Sequence, residues 1–244
     1  MSTALAGGLA GAIAGSFLAT LTERWGQGRS IMGRSACMSC GITLSAAELV
    51  PILSWLVQRG KCRHCGASIG PRQVWIEMAA ALWGALALID SPDGAGMAGA
   101  LFGWQLLALA VMDAEHFRLP RILTSLLALT GLAAAAIVPQ PDLLDRLYGA
   151  AAGFAGLWLV GAAYLHLRGR RGLGGGDPWM LGAVGCWLGW QALPLCILGA
   201  ALVGLGWLWI RTMRGDRVRA ADKLPLGTLM AVSAAMLWLT TNQS

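Results

Sequence analysis

The feature that most constrains this chain is a recurrence of apolar, almost uncharged segments, each near the length of about 20 residues that a helix needs to cross a bilayer. Eight can be marked, at residues 4–21, 74–90, 96–113, 121–138, 147–167, 178–190, 192–210 and 225–241. Only 12% of the 244 residues are charged and 57% are hydrophobic, where an ordinary soluble domain carries roughly 25% charge. Mean hydropathy is +0.63. A water-soluble globule cannot cover so much apolar surface, and a disordered chain would be polar. The expected fold is an all-α polytopic membrane protein of about eight transmembrane helices.

The basic residues test that layout independently. No basic residue precedes the first segment, which argues against a cleaved signal peptide. Glu23, Arg24, Arg29 and Arg34 follow it. The N-terminus is therefore expected outside and residues 22–73 in the cytoplasm of an inner-membrane protein. With eight spans, 17 of the 18 Lys and Arg fall on the cytoplasmic side, and Arg146, beside Asp142 and Asp145, is the exception. Positive-inside insertion produces such asymmetry. It accounts for the net charge of +6 without a nucleic-acid partner; the expected partner is the lipid bilayer. Three regions follow: a first helix (1–21), a cytoplasmic domain (22–73) and a membrane domain (74–244).

Residues 22–73 hold two CxxC pairs, Cys37-Met38-Ser39-Cys40 and Cys62-Arg63-His64-Cys65, each followed by glycine (Gly41, Gly66). Four soft ligands at this spacing suit a tetrahedral all-cysteine zinc site at Cys37, Cys40, Cys62 and Cys65. Disulfides and a redox thiol pair are the alternatives, and a reducing cytoplasm disfavours lasting disulfides. Cys186 and Cys196 lie in apolar segments and read as small hydrophobes.

Among the acidic residues, Asp113 ends an apolar run. Asp177 follows Gly174-Gly175-Gly176 and precedes Pro178, as at a helix start. The topology places both at the cytoplasmic membrane edge. Two facing carboxyls share a proton and activate water for amide hydrolysis; two unrelated interfacial acids, each beside an arginine such as Arg118 or Arg171, is the plainer reading. Glu115 and His116 lack the partner spacing of a metal site.

The whole chain resembles the type IV prepilin peptidases, bifunctional leader peptidases and N-methyltransferases of pilus and secretion systems. The resemblance runs through Gly15-Ser16-Phe17-Leu18, both CxxC pairs, Leu49-Val50-Pro51-Ile52-Leu53-Ser54-Trp55-Leu56, Arg59-Gly60-Lys61 and Glu77. It continues in Asp113-Ala114-Glu115 with Leu119-Pro120, in a GxGD motif at Gly174, Gly176 and Asp177, and in Leu224-Pro225-Leu226-Gly227. It implies that Asp113 and Asp177 are an aspartyl protease pair supported by Gly174 and Gly176. It implies cleavage of a basic leader after Gly in prepilin or pseudopilin substrates, and N-methylation of the new terminus with S-adenosylmethionine as donor. The chain departs from the family pattern at two places. Pro178-Trp179 stand where an apolar residue and Lys usually follow GxGD, and Arg121 stands where Asp or Asn usually follows Leu-Pro. Other classes compatible with the residues are a membrane thiol oxidoreductase and a non-catalytic assembly scaffold.

Overall fold

A computed structural model describes residues 2–170, 172–215 and 224–241. Arg171, Asp216, Arg217, Arg219, Asp222 and Lys223 lie outside the described residues. The architecture is all-α: α1 (Ser2–Gly26), a short α2 (Leu53–Val57), α3 (Arg72–Asp90), α4 (Gly94–His116), α5 (Arg121–Ala133), α6 (Leu143–Arg168), α7 (Asp177–Leu188), α8 (Leu193–Met213) and α9 (Leu226–Thr241). Five of them, α1, α3, α4, α6 and α8, are long and apolar enough to cross a membrane. The other three apolar helices coincide with marked segments but are shorter. The first segment was expected to end at 21, and α1 runs five residues further, to Gly26. Large apolar side chains such as Leu159 on α6 and Leu202 on α8 are more than half exposed, an outer surface suited to lipid and not to water.

The chain divides after Ala108 into two compact units. In the first, α1 packs on α3 through a stripe of small residues. Gly7, Gly11, Gly15 and Ala19 are buried one turn apart, and a Cβ on Gly7 or Gly11 would meet the carbonyls of Gly84 or Ala80. Lipid tails are as apolar as leucine, so helices in a bilayer gain from close van der Waals approach, which small residues allow. Arg72, at the start of α3, donates to the Ala19 carbonyl at 3.1 Å and to Thr22 Oγ1 at 2.9 Å. Glu77, on the first turns of α3, is only 3% exposed. Its Oε2 accepts the Ile52 N–H at 2.7 Å, where Ile52 sits at the unusual φ of +63°.

The second unit is built around α7, whose residues are all buried except Trp179. At 12 residues it spans only about 18 Å at 1.5 Å per residue, and burial by neighbouring helices is what makes such a short apolar helix tenable at membrane depth. α5, α6, α8 and α9 pack around it. Arg146, sequence neighbour of two aspartates, ignores both. It is wholly buried and donates to four carbonyls, those of Pro141, Gly131, Cys186 and Val138, at 2.8–3.2 Å. A cation is favourable at helix C-termini, where carbonyls lack partners, and this one closes the ends of α5 and α7 together. The aspartates do other work: Asp142 caps α6 by accepting the Asp145 N–H, and Asp145 accepts from Trp190 and Gln191, fixing the turn between α7 and α8.

Candidate active site

The two cysteine pairs fold into matching turns. Cys37 N–H donates to the Ile42 carbonyl and Gly41 N–H to the Cys37 carbonyl, both at 2.9 Å; Cys62 and Gly66 repeat the pattern with Ala67 and Cys62 at 2.8 and 2.9 Å. Gly41 and Gly66 adopt φ of +71° and +70°, which explains the glycine after each pair. The turns bring all four Sγ atoms within 4.8 Å of one another, with Cys37 Sγ and Cys65 Sγ 3.9 Å apart. Four sulfurs held about 2.3 Å from a tetrahedral zinc lie about 3.8 Å apart, so the cluster has the dimensions that zinc requires. None of the four is in a disulfide.

Asp113 and Asp177 are 5% and 6% exposed. Asp113 lies one turn before the end of α4, which closes on Phe117 at φ +51°. Its Oδ2 accepts the Thr228 N–H at 2.9 Å and lies 3.4 Å from Thr228 Oγ1. That hydroxyl also donates to the Ala110 carbonyl at 2.9 Å, so α9 is pinned to α4 at the acid. Asp177 opens α7, and its Oδ2 accepts the Gly174 N–H at 2.8 Å.

Leu119 links the two. A Cβ on Gly176, next to Asp177, would lie 2.7 Å from Leu119 Cβ. A Cβ on Gly227 would lie 2.9 Å from both Leu119 Cδ2 and Asp113 Oδ2. The carboxyls thus flank one leucine and two bare backbone positions. In each acid Oδ2 is held by a backbone N–H, and no hydrogen bond to Oδ1 is found among the described residues. Two buried carboxyls with one anchored and one available oxygen apiece are equipped to bind and polarise a water.

The three glycines before Asp177 are not equivalent. A Cβ on Gly174 would come 3.0 Å from Asp177 Oδ2, one on Gly176 would strike Leu119, and one on Gly175 would meet nothing within 4 Å. The GxGD spacing is thereby explained by local sterics. Thr228 and the steric role of Gly227 were not singled out from the sequence as contacts of the acid. A hydroxyl three residues after a proline, inside an apolar run, was the signal available. Glu115 and His116 lie 3.9 Å apart and join no metal-ligand group among the described residues. The two departures from the family pattern meet: the Arg121 guanidinium lies 5.8 Å above the Trp179 ring, and Trp179 packs edge-on against Phe154 at 4.8 Å.

Comparison with known proteins finds two family models and several curated relatives. A family model described as Bacterial Peptidase A24 N-terminal domain matches residues 9–90, and one described as Type IV leader peptidase family matches residues 100–209. Curated relatives carry the name prepilin leader peptidase/N-methyltransferase. That of Burkholderia pseudomallei (strain 1026b) is 41% identical over 204 residues, covering 83% of this chain and 65% of the relative. That of Aeromonas hydrophila is 36% identical over 84% of this chain and 71% of its own; that of Pseudomonas aeruginosa is 36% identical over 85% and 72%. The chain therefore spans about two thirds of the length of these relatives, and just under that for the first. No solved structure matches it.

Proposed function

The chain belongs to the type IV leader peptidase family, and from that premise we propose that it is a membrane aspartyl peptidase that removes the basic leader of prepilins or pseudopilins after Gly and N-methylates the new terminus. The observation that carries the reading is the pair of buried acids, Asp113 and Asp177, brought from α4 and α7 to the two sides of Leu119, with Oδ2 of each held by a backbone N–H.

One carboxylate accepts a proton from water as its oxygen attacks the scissile carbonyl carbon. The other, protonated, hydrogen-bonds the carbonyl oxygen. Collapse of the tetrahedral species breaks the C–N bond as a proton passes to the leaving nitrogen, giving a glycine carboxylate and a free amine. The Thr228 and Gly174 N–H groups hold the acids in place so that little reorganisation is needed during the reaction. When S-adenosylmethionine is bound it supplies the methyl group for that amine. Cys37, Cys40, Cys62 and Cys65 would hold zinc, whose contribution is folding free energy for a region with little apolar core.

The eight apolar helices are assigned as eight spans of the inner membrane, with the N-terminus outside and the cysteine-bearing region 22–73 in the cytoplasm. The distribution of Lys and Arg supports this orientation. A thiol oxidoreductase would need redox-active cysteines, and a scaffold would have no use for a buried acid pair. The test is cleavage of a synthetic prepilin read by mass spectrometry. Asp113→Asn and Asp177→Asn should each abolish leader removal in protein that retains its zinc; full cleavage by either variant defeats the assignment.

A further inference from the structure

The first unit contains a cavity of about 690 Å³ walled by the end of α1, the start of α3 and the cysteine turns. That is the size range of small-molecule and cofactor sites, about 300–1,000 Å³. Its wall mixes apolar and polar groups and carries both signs of charge. Arg29 and Arg34 stand in one part of its wall; the Arg34 guanidinium has no partner among the described residues, and Arg29 has only a 3.8 Å contact with Met38 Sδ.

Two carboxylates face the same space. Glu77 is 3% exposed, and its Oε1 accepts only a long 3.4 Å contact from Gln73. The Glu48 side chain is 5% exposed. Its Oε2 accepts from the Ser45 N–H and hydroxyl at 2.9 and 2.8 Å, and these donors hold the carboxyl below the usual range. Its Oε1 is buried with no hydrogen-bond partner; the nearest cation is His64 Nε2 at 3.6 Å, charged only when protonated. A buried carboxylate oxygen left without a donor is costly, and a bound ligand that donates to it removes the cost.

We propose that this cavity binds S-adenosylmethionine, with Arg29 and Arg34 receiving the methionine carboxylate and Glu48 and Glu77 receiving the ammonium and sulfonium cations. The assignment rests on the methyl-transfer reading above and gives it a location. A zwitterionic ligand with two cationic centres and one carboxylate matches a wall that carries the carboxylates of Glu23, Glu48 and Glu77 and the guanidiniums of Arg29 and Arg34, while Arg24 and Arg72 already donate to protein acceptors. A basic leader peptide matches it less well, because it brings cations to a wall whose four arginines outnumber its three glutamates. The indole of Trp55, in the same wall and tethered by Nε1 to the Ile69 carbonyl at 3.0 Å, offers a flat apolar surface for the adenine.

Purified full-length protein in detergent, zinc-loaded, is dialysed against tritiated S-adenosylmethionine and, separately, irradiated with it so that adducts are mapped by peptide mass. Saturable one-site binding is expected, with adducts within residues 24–77. Arg29→Glu with Arg34→Glu, and Glu48→Gln alone, should each weaken affinity at least tenfold while zinc content is retained. Unchanged affinity in both variants, no saturable binding, or adducts within residues 109–241 overturns the assignment. Synthetic prepilin assayed with the native protein separates the two levels of failure. If the terminus is methylated but any of those results appears, the donor binds elsewhere and the function stands. If no methyl transfer occurs, the function fails and the cavity assignment with it.

Discussion

The steric inequality of the three glycines before Asp177 gives a sharp prediction. In Gly176→Ala the new Cβ would lie 2.7 Å from Leu119 Cβ, against an ordinary carbon contact of about 3.5–4.0 Å. The turn or Leu119 must move by nearly 1 Å. Leu119 also touches the Gly227 position that borders Asp113, so the strain falls on both acids. Overpacking of this kind costs about 1–3 kcal/mol, and misplacing a catalytic group by an ångström costs on the order of 100-fold in rate. Gly174→Ala places a Cβ 3.0 Å from Asp177 Oδ2, a smaller conflict that relaxes over a few tenths of an ångström. A loss of about tenfold, or roughly 1.4 kcal/mol, is expected. Gly175→Ala meets nothing within 4 Å, and its backbone is not left-handed; its activity should stay within about twofold, as for a surface change without a named mechanism. The assay is kcat/KM on a synthetic prepilin with zinc content as the folding control. Equal damage at 175 and 176, or a fully active Gly176→Ala, would refute the steric account of the motif.

Thr228→Val removes the hydroxyl but keeps the N–H on Asp113, so it should reduce kcat/KM by only about three- to tenfold, within the net worth of one hydrogen bond; Thr228→Pro also removes the N–H and should cost more, and the reverse order would contradict the contact. Cys62→Ser should release zinc and lower the thermal midpoint, because metal binding is coupled to folding; unchanged metal content by elemental analysis would disprove the ligand set. Acidification protonates the thiolates, so zinc retention should fall as pH falls, as a chelator competition at several pH values would show. The Arg121–Trp179 contact should register in a double-mutant cycle as about 0.5–1 kcal/mol of coupling. Arg146→Leu leaves four carbonyls without their donor and should destabilise the protein by at least about 3 kcal/mol, measured as a drop in thermal midpoint; a neutral outcome would contradict its role in joining α5 to α7.

The linear pattern determined where the helices lie, because a bilayer demands long apolar runs. All eight apolar segments correspond to helices, with ends shifted by a few residues where polar ends continue a helix, as at α1. The zinc-type turns were equally readable, since their ligands and glycines are close in sequence and the backbone pattern is local. Long-range placement was not readable. Nothing in the residues around 228 says that its N–H reaches an acid 115 positions earlier. Arg146 stands beside two aspartates yet binds carbonyls, because only the packed helices put those carbonyls in its reach. Nothing in the residues around Glu77 says that its carboxyl is buried and accepts the N–H of Ile52, 25 positions earlier. Periodicity and spacing act through neighbours along the chain, whereas partners for buried polar groups are chosen by whichever distant backbone the packing delivers.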